Sequence, residues 1–472
     1  MPRLLDADHS QILLLPTDIS QWVPPDHPAR FIWDLVDLLD LGELGIFVDE
    51  GELGRPRYAP KLLLRRWLYG WMDRVRSSRG LEKRCMTDLA YIWLTGNLRP
   101  DHNTIWRFFR CNKRALPKLF KRVVRLAVDA DLVGFALHAV DGTKIQAVSS
   151  TESALHRSVL QDKLRQIDEL IEQSVKEMEK AQQEGGESFR LPQGLTDARA
   201  RRAVLEQGLA RLDAEQTEHL SLGEPDARVM KSRQGKRLSY NAQAAVDHDS
   251  DLIVAADVTN EEDDHRLLVP MIDQVLENTG ETAETTSADA GYFSGEQIDE
   301  AQRRNYGIVV NFEKDSAPAK GQLSKDLFRY DPELDVFVCP QGKQLKFYRL
   351  DDKGMSYVRR FYRCVEKDCP RRDECTKNST MSRTITRGPY DDALAVQKQA
   401  QTKACARVSL SLRKEIVEHV FGNIKSGDGL QRFSARGRHG ARAQWALACL
   451  AFDLRKLHAL WAAGELSLPA TA

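Results

Sequence analysis

The strongest constraint on the fold is an alternation of apolar, strand-like runs with amphipathic helical segments between residues 135 and 310. Apolar or alternating residues predict strands at 135–147, 240–246, 252–258, 287–289 and 308–310. The second and third runs, joined by a short polar turn, predict a β-hairpin. Helices are predicted near 267–277 and from residue 294 onwards. Because strands alternate with helices, the predicted fold class is α/β with a mixed sheet.

A long helical stretch at residues 152–222 interrupts this alternation. Leu160 and Ile167 lie on one apolar stripe of its first half, and Leu205 and Leu212 lie on a stripe of its second half. We expect an inserted two-helix hairpin whose stripes pack against each other. Without this insert, the order of elements matches the mixed sheet of an RNase H-like domain.

The N-terminal part of the chain is helical in pattern and strongly basic. Between Gly54 and Arg125 there are 19 Lys and Arg residues against 4 Asp and Glu residues, a local charge of +15 in a 472-residue chain whose net charge is zero. Such an excess is typical of a surface that binds a polyanion, or of a solvated helical surface balanced by acidic neighbours. Interleaved His and aromatic residues favour nucleic acid.

A helix-turn-helix is predicted within this basic stretch. One helix is expected to start near Ser78, and after a break at Pro100 a second helix is capped by Asp101. The second helix carries Arg107 and Arg110, which we expect to bind DNA. Many helical pairs match the bare pattern, so the assignment depends on the surrounding basic charge.

No apolar run reaches the ~20 residues that a membrane span needs. The chain starts without the pattern of a signal peptide. We therefore expect a cytoplasmic protein that contacts no membrane. Its eight cysteines are then expected to be mostly reduced or metal-bound.

Two aspartates follow apolar strands and each has a glycine nearby: Asp141 with Gly142, and Asp289 with Gly291. An isolated Asp-Gly pair is usually a turn. Here both aspartates are expected to end strands that lie side by side in the RNase H-like order. The glycines would let the backbone turn and leave room for a substrate. Carboxylates on rigid elements can share divalent metal ions, and such pockets cut and rejoin phosphodiester bonds.

A third carboxylate, Glu418, is predicted on a helix in the last quarter of the chain. It shares a face with Lys414, Gly422 and Lys425. A surface ladder of salt bridges is the alternative, but it needs no glycine, which costs about 1 kcal/mol in a helix interior relative to alanine. Glu415 is the competing acid, and it lies further from the face that carries Lys425.

The cysteines fall into two groups. Four are separated by 24, 4 and 5 intervening residues and can hold one structural zinc ion, or can be reduced thiols of an irregular insert: Cys339, Cys364, Cys369 and Cys375. The other four lie in helical, apolar contexts and are expected to be buried: Cys85, Cys111, Cys405 and Cys449.

The C-terminal part continues with a basic, glycine-punctuated segment that contains Arg432 and Arg436. We expect these arginines to contact phosphates, which position DNA without reading its sequence. Residues 441–461 are strongly apolar and are predicted to form a core helix.

With these motifs in place, the chain resembles the DDE transposases of bacterial insertion sequences. It is similar to the branch with an InsH-like N-terminal domain and an RNase H-like catalytic domain. The matching stretches lie between about residues 25 and 461: they are 100–105, 141–144, 226–228, 240–243, 289–292, 417–425 and 432–437.

The resemblance implies metal-dependent DNA cleavage followed by strand transfer. It implies that Asp141, Asp289 and Glu418 hold two Mg²⁺ or Mn²⁺ ions and that Lys425 contacts the transposon-end DNA. The expected partners are double-stranded DNA, as terminal inverted repeats and target, and a second copy of the chain in a synaptic homodimer. We expect the bacterial protein to associate with the nucleoid.

The chain departs from relatives that carry a Tyr and an Arg at fixed spacing before the glutamate. Ser411 and Lys414 hold those positions, with Arg413 adjacent. This departure weakens the expectation of a flipped-base hairpin intermediate but leaves the metal chemistry in place. Arg413 and Lys414 are themselves expected to contact DNA.

The predicted organisation is an all-α DNA-binding domain at 1–130 and an RNase H-like catalytic domain at 131–461. The catalytic domain is interrupted by the helical hairpin at 152–222 and by a small Cys-containing insert at 315–400. Two other functions stay open: an RNase H-like nuclease without strand transfer, and an inactive, transposase-derived DNA-binding regulator.

Overall fold

The computed structural model describes the chain in eight ranges, which are residues 18–47, 56–183, 193–232, 235–312, 322–352, 357–366, 368–376 and 382–469. They form an N-terminal helical region, a mixed α/β part and an antiparallel sheet. The predicted start of the Cys-containing insert, residue 315, lies outside the described residues. None of the helices in these ranges is long and apolar enough to cross a membrane.

Seven α-helices lie in the described part of the N-terminal region. They are α1 (Pro28–Asp37), α2 (Leu41–Leu44), α3 (Pro60–Met72), α4 (Ser78–Thr87), α5 (Leu89–Thr95), α6 (His102–Asn112) and α7 (Leu116–Asp129). The predicted cap of α6 is confirmed, because Asp101 accepts hydrogen bonds from the backbone N–H groups of Asn103 and Thr104 at 2.9 and 3.0 Å. The predicted helix start at Ser78 is also confirmed.

The mixed α/β part follows. Its elements are β1 (Leu137–Gln146), β2 (Ala154–His156), α8 (Arg157–Gln183), α9 (Gln193–Glu215), β3 (His219–Ser221), β4 (Arg228–Ser232), β5 (Gly235–Asp247), β6 (Ile253–Thr259), α10 (Leu268–Thr279), β7 (Thr285–Ala288), α11 (Gly295–Arg303) and β8 (Ile308–Val310). The predicted β-hairpin is confirmed as β5 and β6. The helices α8 and α9 lie in the stretch predicted to form a helical hairpin, and they contact each other.

The large sheet has the strand order β4-β5-β1-β7-β8, and β6 pairs with the same edge of β5 as β4 does. β1 is antiparallel to β5 and parallel to β7, and β7 is parallel to β8. Asp141 does not end β1 as predicted. β1 loses its partner β7 after Val140 but continues beside β5 as far as Gln146.

The rest of the chain carries a second sheet and the C-terminal helices. Its elements are β9 (Arg329–Asp331), β10 (Val336–Val338), β11 (Gln344–Asp351), β12 (Arg359–Cys364), α12 (Arg372–Cys375), β13 (Thr384–Arg387), α13 (Asp391–Gln401), α14 (Ala404–Gly422) and α15 (Arg438–Ala462). The five strands pair antiparallel in the order β13-β12-β11-β10-β9. The predicted apolar helix at 441–461 is confirmed as α15, which is buried along most of its length.

Buried apolar side chains of the N-terminal helices, the large sheet, α14 and α15 form one continuous core. The five-stranded sheet has a separate core, to which the described residues contribute five buried side chains: Phe328, Phe337, Leu345, Tyr362 and Ile385. The helical hairpin has its own cluster, which includes Leu160, Leu205 and Leu212. The fold therefore presents one large scaffold with two small attachments.

Candidate active site

The strand register brings two of the predicted carboxylates together. Val140 of β1 lies opposite Ala288 of β7, so Asp141 and Asp289 are the next residues on two adjacent parallel strands. The Asp141 carboxylate accepts a hydrogen bond from the N–H of Gly142 at 2.7 Å, and Asp289 accepts one from the N–H of Gly291 at 2.9 Å. Backbone N–H groups one or two residues further along the chain thus fix both carboxylates at the point where β7 ends.

The electrostatics at Asp141 favour a cation. Burial raises the pKa of Asp141 to about 6; the Arg413 guanidinium opposes the shift and the charge of Asp289 adds to it. The Asp141 side chain is 22% exposed. Two carboxylates that repel each other in a largely dry position fit a divalent metal ion, because added positive charge relieves the repulsion.

In this structure, Arg413 places a positive charge beside the Asp141 carboxylate. Its Nη1 donates to Oδ2 of Asp141 at 3.1 Å, and its side chain is 15% exposed. The buried residues Ile416, Val417 and Val420 fix the inward face of α14, and Arg413 lies on that face. Lys414, which holds the expected arginine position, is exposed.

The third predicted carboxylate is placed differently. Glu418 lies on α14, and its side chain is exposed, as is that of Glu415. Across the eight described ranges, no group of three or more His, Cys, Asp or Glu residues is arranged so that it could hold a metal ion. The structure therefore brings Asp141 and Asp289 together, while the inclusion of Glu418 stays a prediction.

Lys425 lies beside the aspartate pair. A turn of π-helix at Asn423–Gly427 extends α14, and it carries Lys425 to β1, where Nζ donates to Oγ1 of Thr143 at 2.9 Å. Thr143 is two residues from Asp141 on the strand, so both side chains leave the same face of the sheet. Lys425 thus approaches the candidate site from the side of α14.

A polar cluster on the opposite face of β1 was not predicted. Asp264, in the acidic loop after β6, accepts hydrogen bonds from Nδ2 of Asn241 at 2.6 Å and Nε2 of Gln243 at 2.8 Å. The Nζ of Lys144 lies 3.6 Å from the same carboxylate. Burial lowers the pKa of Lys144, and the charge of Asp264 opposes the shift.

This cluster is joined to the loop that carries Asp289. The Tyr292 hydroxyl donates to Oε1 of Gln243, and a Cβ at Gly142 would lie 2.1 Å from Nε2 of the same Gln243. Gly142 therefore makes room for Gln243 and not for substrate as predicted. The run of acidic residues at 261–264 is the one sequence signal that could have pointed to Asp264.

The predicted DNA contacts differ in their surroundings. Arg107 and Arg110 are exposed on α6 and form no ion pair with another described residue, and Arg436 is exposed. Arg432 is exposed too, but it donates to the backbone carbonyls of Ala147 and Val148 just after β1. Arg432 thus has a structural role in addition to the predicted phosphate contact.

Part of the basic excess between residues 54 and 125 is internal. Arg65 and Arg66 are buried in α3. The guanidinium of Arg65 lies 3.5 Å from the ring centre of Trp33, and its Nη2 is 2.7 Å from the carboxylate of Asp37. The local charge of +15 therefore overstates the positive charge that is free to meet a polyanion.

All eight cysteines are free thiols in this structure. The four that were predicted as zinc ligands, Cys339, Cys364, Cys369 and Cys375, line one cavity beside the five-stranded sheet. The prediction that the other four are buried is confirmed for Cys85 and Cys449 and wrong for Cys111 and Cys405, which are exposed on α6 and α14.

Two family models match the chain. A model described as "Transposase domain (DUF772)" matches residues 17–111, which include α6 with Arg107 and Arg110. A model described as "Transposase DDE domain" matches residues 338–458, which include α14 and Lys425. No curated protein and no solved structure matches the chain significantly. The chain thus carries, at residues 17–111 and 338–458, the two domains of a transposase with a DUF772 N-terminal domain and a DDE domain.

Proposed function

We propose that the protein cleaves the DNA ends of an insertion sequence and joins them to target DNA in a reaction that requires divalent metal ions. The observation that carries this proposal is the placement of Asp141 and Asp289 in register on neighbouring parallel strands, beside α14. Carboxylates on rigid strands are the kind of ligand that metal-assisted phosphoryl transfer needs.

The sheet supports an RNase H-like catalytic domain. Apart from β4, its order is β6-β5-β1-β7-β8, with the first three strands antiparallel and the last three parallel. This is the order expected from the resemblance for the first five strands of such a domain. The two inserts then leave this sheet at residues 152–222 and in the segment that contains β9 to β13.

Asp141, Asp289 and Glu418 would hold two Mg²⁺ or Mn²⁺ ions. When bound, such ions supply positive charge that stabilises the attacking and the leaving oxygen of a phosphodiester exchange. The paired strands β1 and β7 position the backbones of the two aspartates. Each carboxylate also accepts a hydrogen bond from a backbone N–H group, which fixes its orientation. Arg413 balances the charge of Asp141 until the ions are bound.

The DNA would lie along basic side chains that are exposed or, for Lys425, half-buried. Arg107 and Arg110 on α6 are proposed to contact the terminal inverted repeats, while Lys425, Lys414 and Arg436 contact phosphates near the cleavage site. The proposed assembly is a synaptic homodimer on two transposon ends.

The test is Asp141→Asn with Glu415→Gln as the control. We expect Asp141→Asn to bind terminal-repeat DNA with nearly unchanged affinity and to lose strand cleavage, because it removes a metal ligand but no DNA contact. The control should keep both properties. Loss of DNA binding with cleavage retained would overturn the proposal.

Strand transfer separates the transposase from a nuclease with the same fold. Precut transposon ends and a supercoiled target should give joined products with the wild-type protein and Mg²⁺. Hydrolysis of intact ends without any joined product would favour the nuclease.

A further inference from the structure

We propose that Cys339, Cys364, Cys369 and Cys375 bind one structural zinc ion, which ties the five-stranded sheet to α12. This site is separate from the aspartate pair and does not depend on the proposed catalytic function. Four sulfur ligands close the coordination sphere of zinc, so the ion would have a structural role only.

The four thiols come from three places in the chain and meet in one cavity. Cys339 follows β10, Cys364 ends β12, and Cys369 and Cys375 flank and end α12. The cavity that they line has a volume of about 30 Å³. A space of that size exceeds the roughly 10–15 Å³ that a single water needs. The fold thus brings these cysteines together from segments that are distant in sequence.

The turn after β10 prepares Cys339 as a ligand. The N–H of Gly342 donates to the carbonyl of Cys339 at 2.8 Å, and the N–H of Lys343 donates to its Sγ at 3.3 Å. Gly342 has a φ of +74°, which favours glycine. These two contacts fix the position of the Cys339 side chain at the edge of the cavity that the four cysteines line.

The small sheet has little core to stabilise it. Among its described residues, five buried apolar side chains form the core, and units with so little buried apolar surface usually depend on a disulfide or a metal. The cysteines of this sheet are free thiols. As placed, the described cysteines do not form a group that could hold an ion, so zinc binding would draw the sulfurs inward to about 2.3 Å from the metal.

The test is the metal content of the full-length protein, expressed with added zinc and purified without chelator. We expect about one zinc per chain by mass spectrometry, with X-ray absorption showing only sulfur neighbours near 2.3 Å. The double variant Cys369→Ser/Cys375→Ser should lose the zinc. Cys111→Ser/Cys405→Ser, at two exposed cysteines outside the set, should keep it.

Wild-type protein gives a second readout that does not depend on the folding of a variant. Replacement of zinc by Co²⁺ should produce the visible absorption bands of a tetrahedral thiolate site. Wild-type protein with no zinc and four readily titrated thiols in this sheet would overturn the proposal. Zinc retained by the double variant at Cys369 and Cys375 would overturn it equally.

Discussion

Burial of the Asp141 side chain disfavours the charged form of its carboxyl group. Its pKa is raised to about 6 from 3.8, by burial first, with Arg413 opposing and Asp289 adding. Between these two values the folded chain holds more protons than the unfolded chain, so the stability of the metal-free protein falls as the pH rises through this window. Above about pH 6 Asp141 is charged in the folded protein, and the full free-energy cost of burying that charge is present.

Asp141→Asn should therefore stabilise the metal-free protein at pH 7.5, by an amount on the order of 1–3 kcal/mol. The gain should shrink towards pH 4, where the aspartate of the folded protein is protonated. Urea unfolding in the presence of a chelator at both pH values measures it. A variant less stable than wild type at pH 7.5 would mean that the ion pair with Arg413 outweighs burial.

Because Arg413 forms an ion pair with Asp141, we expect it to compete with a metal ion for that carboxylate. Arg413→Gln should tighten Mn²⁺ binding about tenfold, since a hydrogen bond to a charged group is worth about 1.5–3 kcal/mol. Lys414→Gln, one residue away and exposed, should leave the affinity unchanged. Calorimetric titration at pH 7.5 makes the comparison, and weaker Mn²⁺ binding by Arg413→Gln would show that the arginine organises the metal site.

Glu418 and Glu415 form a matched pair on α14, since both side chains are exposed. We expect Glu418→Gln to reduce cleavage by more than about a hundredfold, because even residues that only support metal ligands cost about 10–100-fold. Glu415→Gln should cleave at a rate close to wild type. Rates on a transposon-end duplex decide between them, and the reverse order would make Glu415 the third carboxylate.

For single residues, the sequence predicts those roles that depend on neighbours along the chain. Asp141 and Asp289 could be identified because each follows an apolar run and has a glycine nearby. Asp264 and Arg413 could not, because their roles arise from contacts with residues that are distant in sequence. Such contacts follow from strand register and helix rotation, which short-range patterns do not specify.

Among the elements, those with a clear apolar period and a cap were predicted well. β5, β6, β8 and α6 match the expected positions, since each buries one face or both. The five-stranded sheet was predicted only as an insert. Its strand β11 exposes Phe347 and Tyr348, and Arg363 of β12 stacks over the Tyr348 ring at 3.6 Å. A strand pattern with two half-polar faces gives no clear alternation.

Two glycines of β1 and α14 should respond oppositely to alanine. A Cβ at Gly422 meets nothing within 4 Å, so Gly422→Ala should stabilise the protein by about 0.5–1 kcal/mol. Gly142→Ala should destabilise it by about 1–3 kcal/mol, because its Cβ would clash with Gln243. Chemical unfolding of both variants tests the pair; equal effects would contradict the packing described for β1.

If Gly422 leaves space for DNA, Gly422→Ala should also weaken binding of the transposon-end DNA.

For the whole molecule, the continuous core links the N-terminal helices to the sheet that carries the aspartates. Several basic residues of the N-terminal region serve this packing: Lys121 pairs with Glu277, and Arg76 and Arg125 donate to the backbone carbonyls of Gly429 and Thr279. We therefore expect the proposed DNA contacts at the basic residues that stay exposed.

Arg107→Ala/Arg110→Ala should weaken binding of terminal-repeat DNA and reduce the slope of log affinity against log salt by about two. Arg303→Ala, which removes an exposed arginine of α11, should leave the slope unchanged. Filter binding over a range of salt concentrations measures both. An unchanged slope for the double variant would exclude α6 from the DNA interface.

The most direct measurement is anomalous diffraction from crystals of the protein with transposon-end DNA and Mn²⁺. Two Mn²⁺ peaks are expected where β7 ends beside Asp141 of β1, with carboxylate oxygens of Asp141, Asp289 and Glu418 as ligands at the short distances typical of hard cations. Manganese bound elsewhere, or bound at Asp141 and Asp289 with Glu418 still facing solvent, would contradict the proposed three-carboxylate centre.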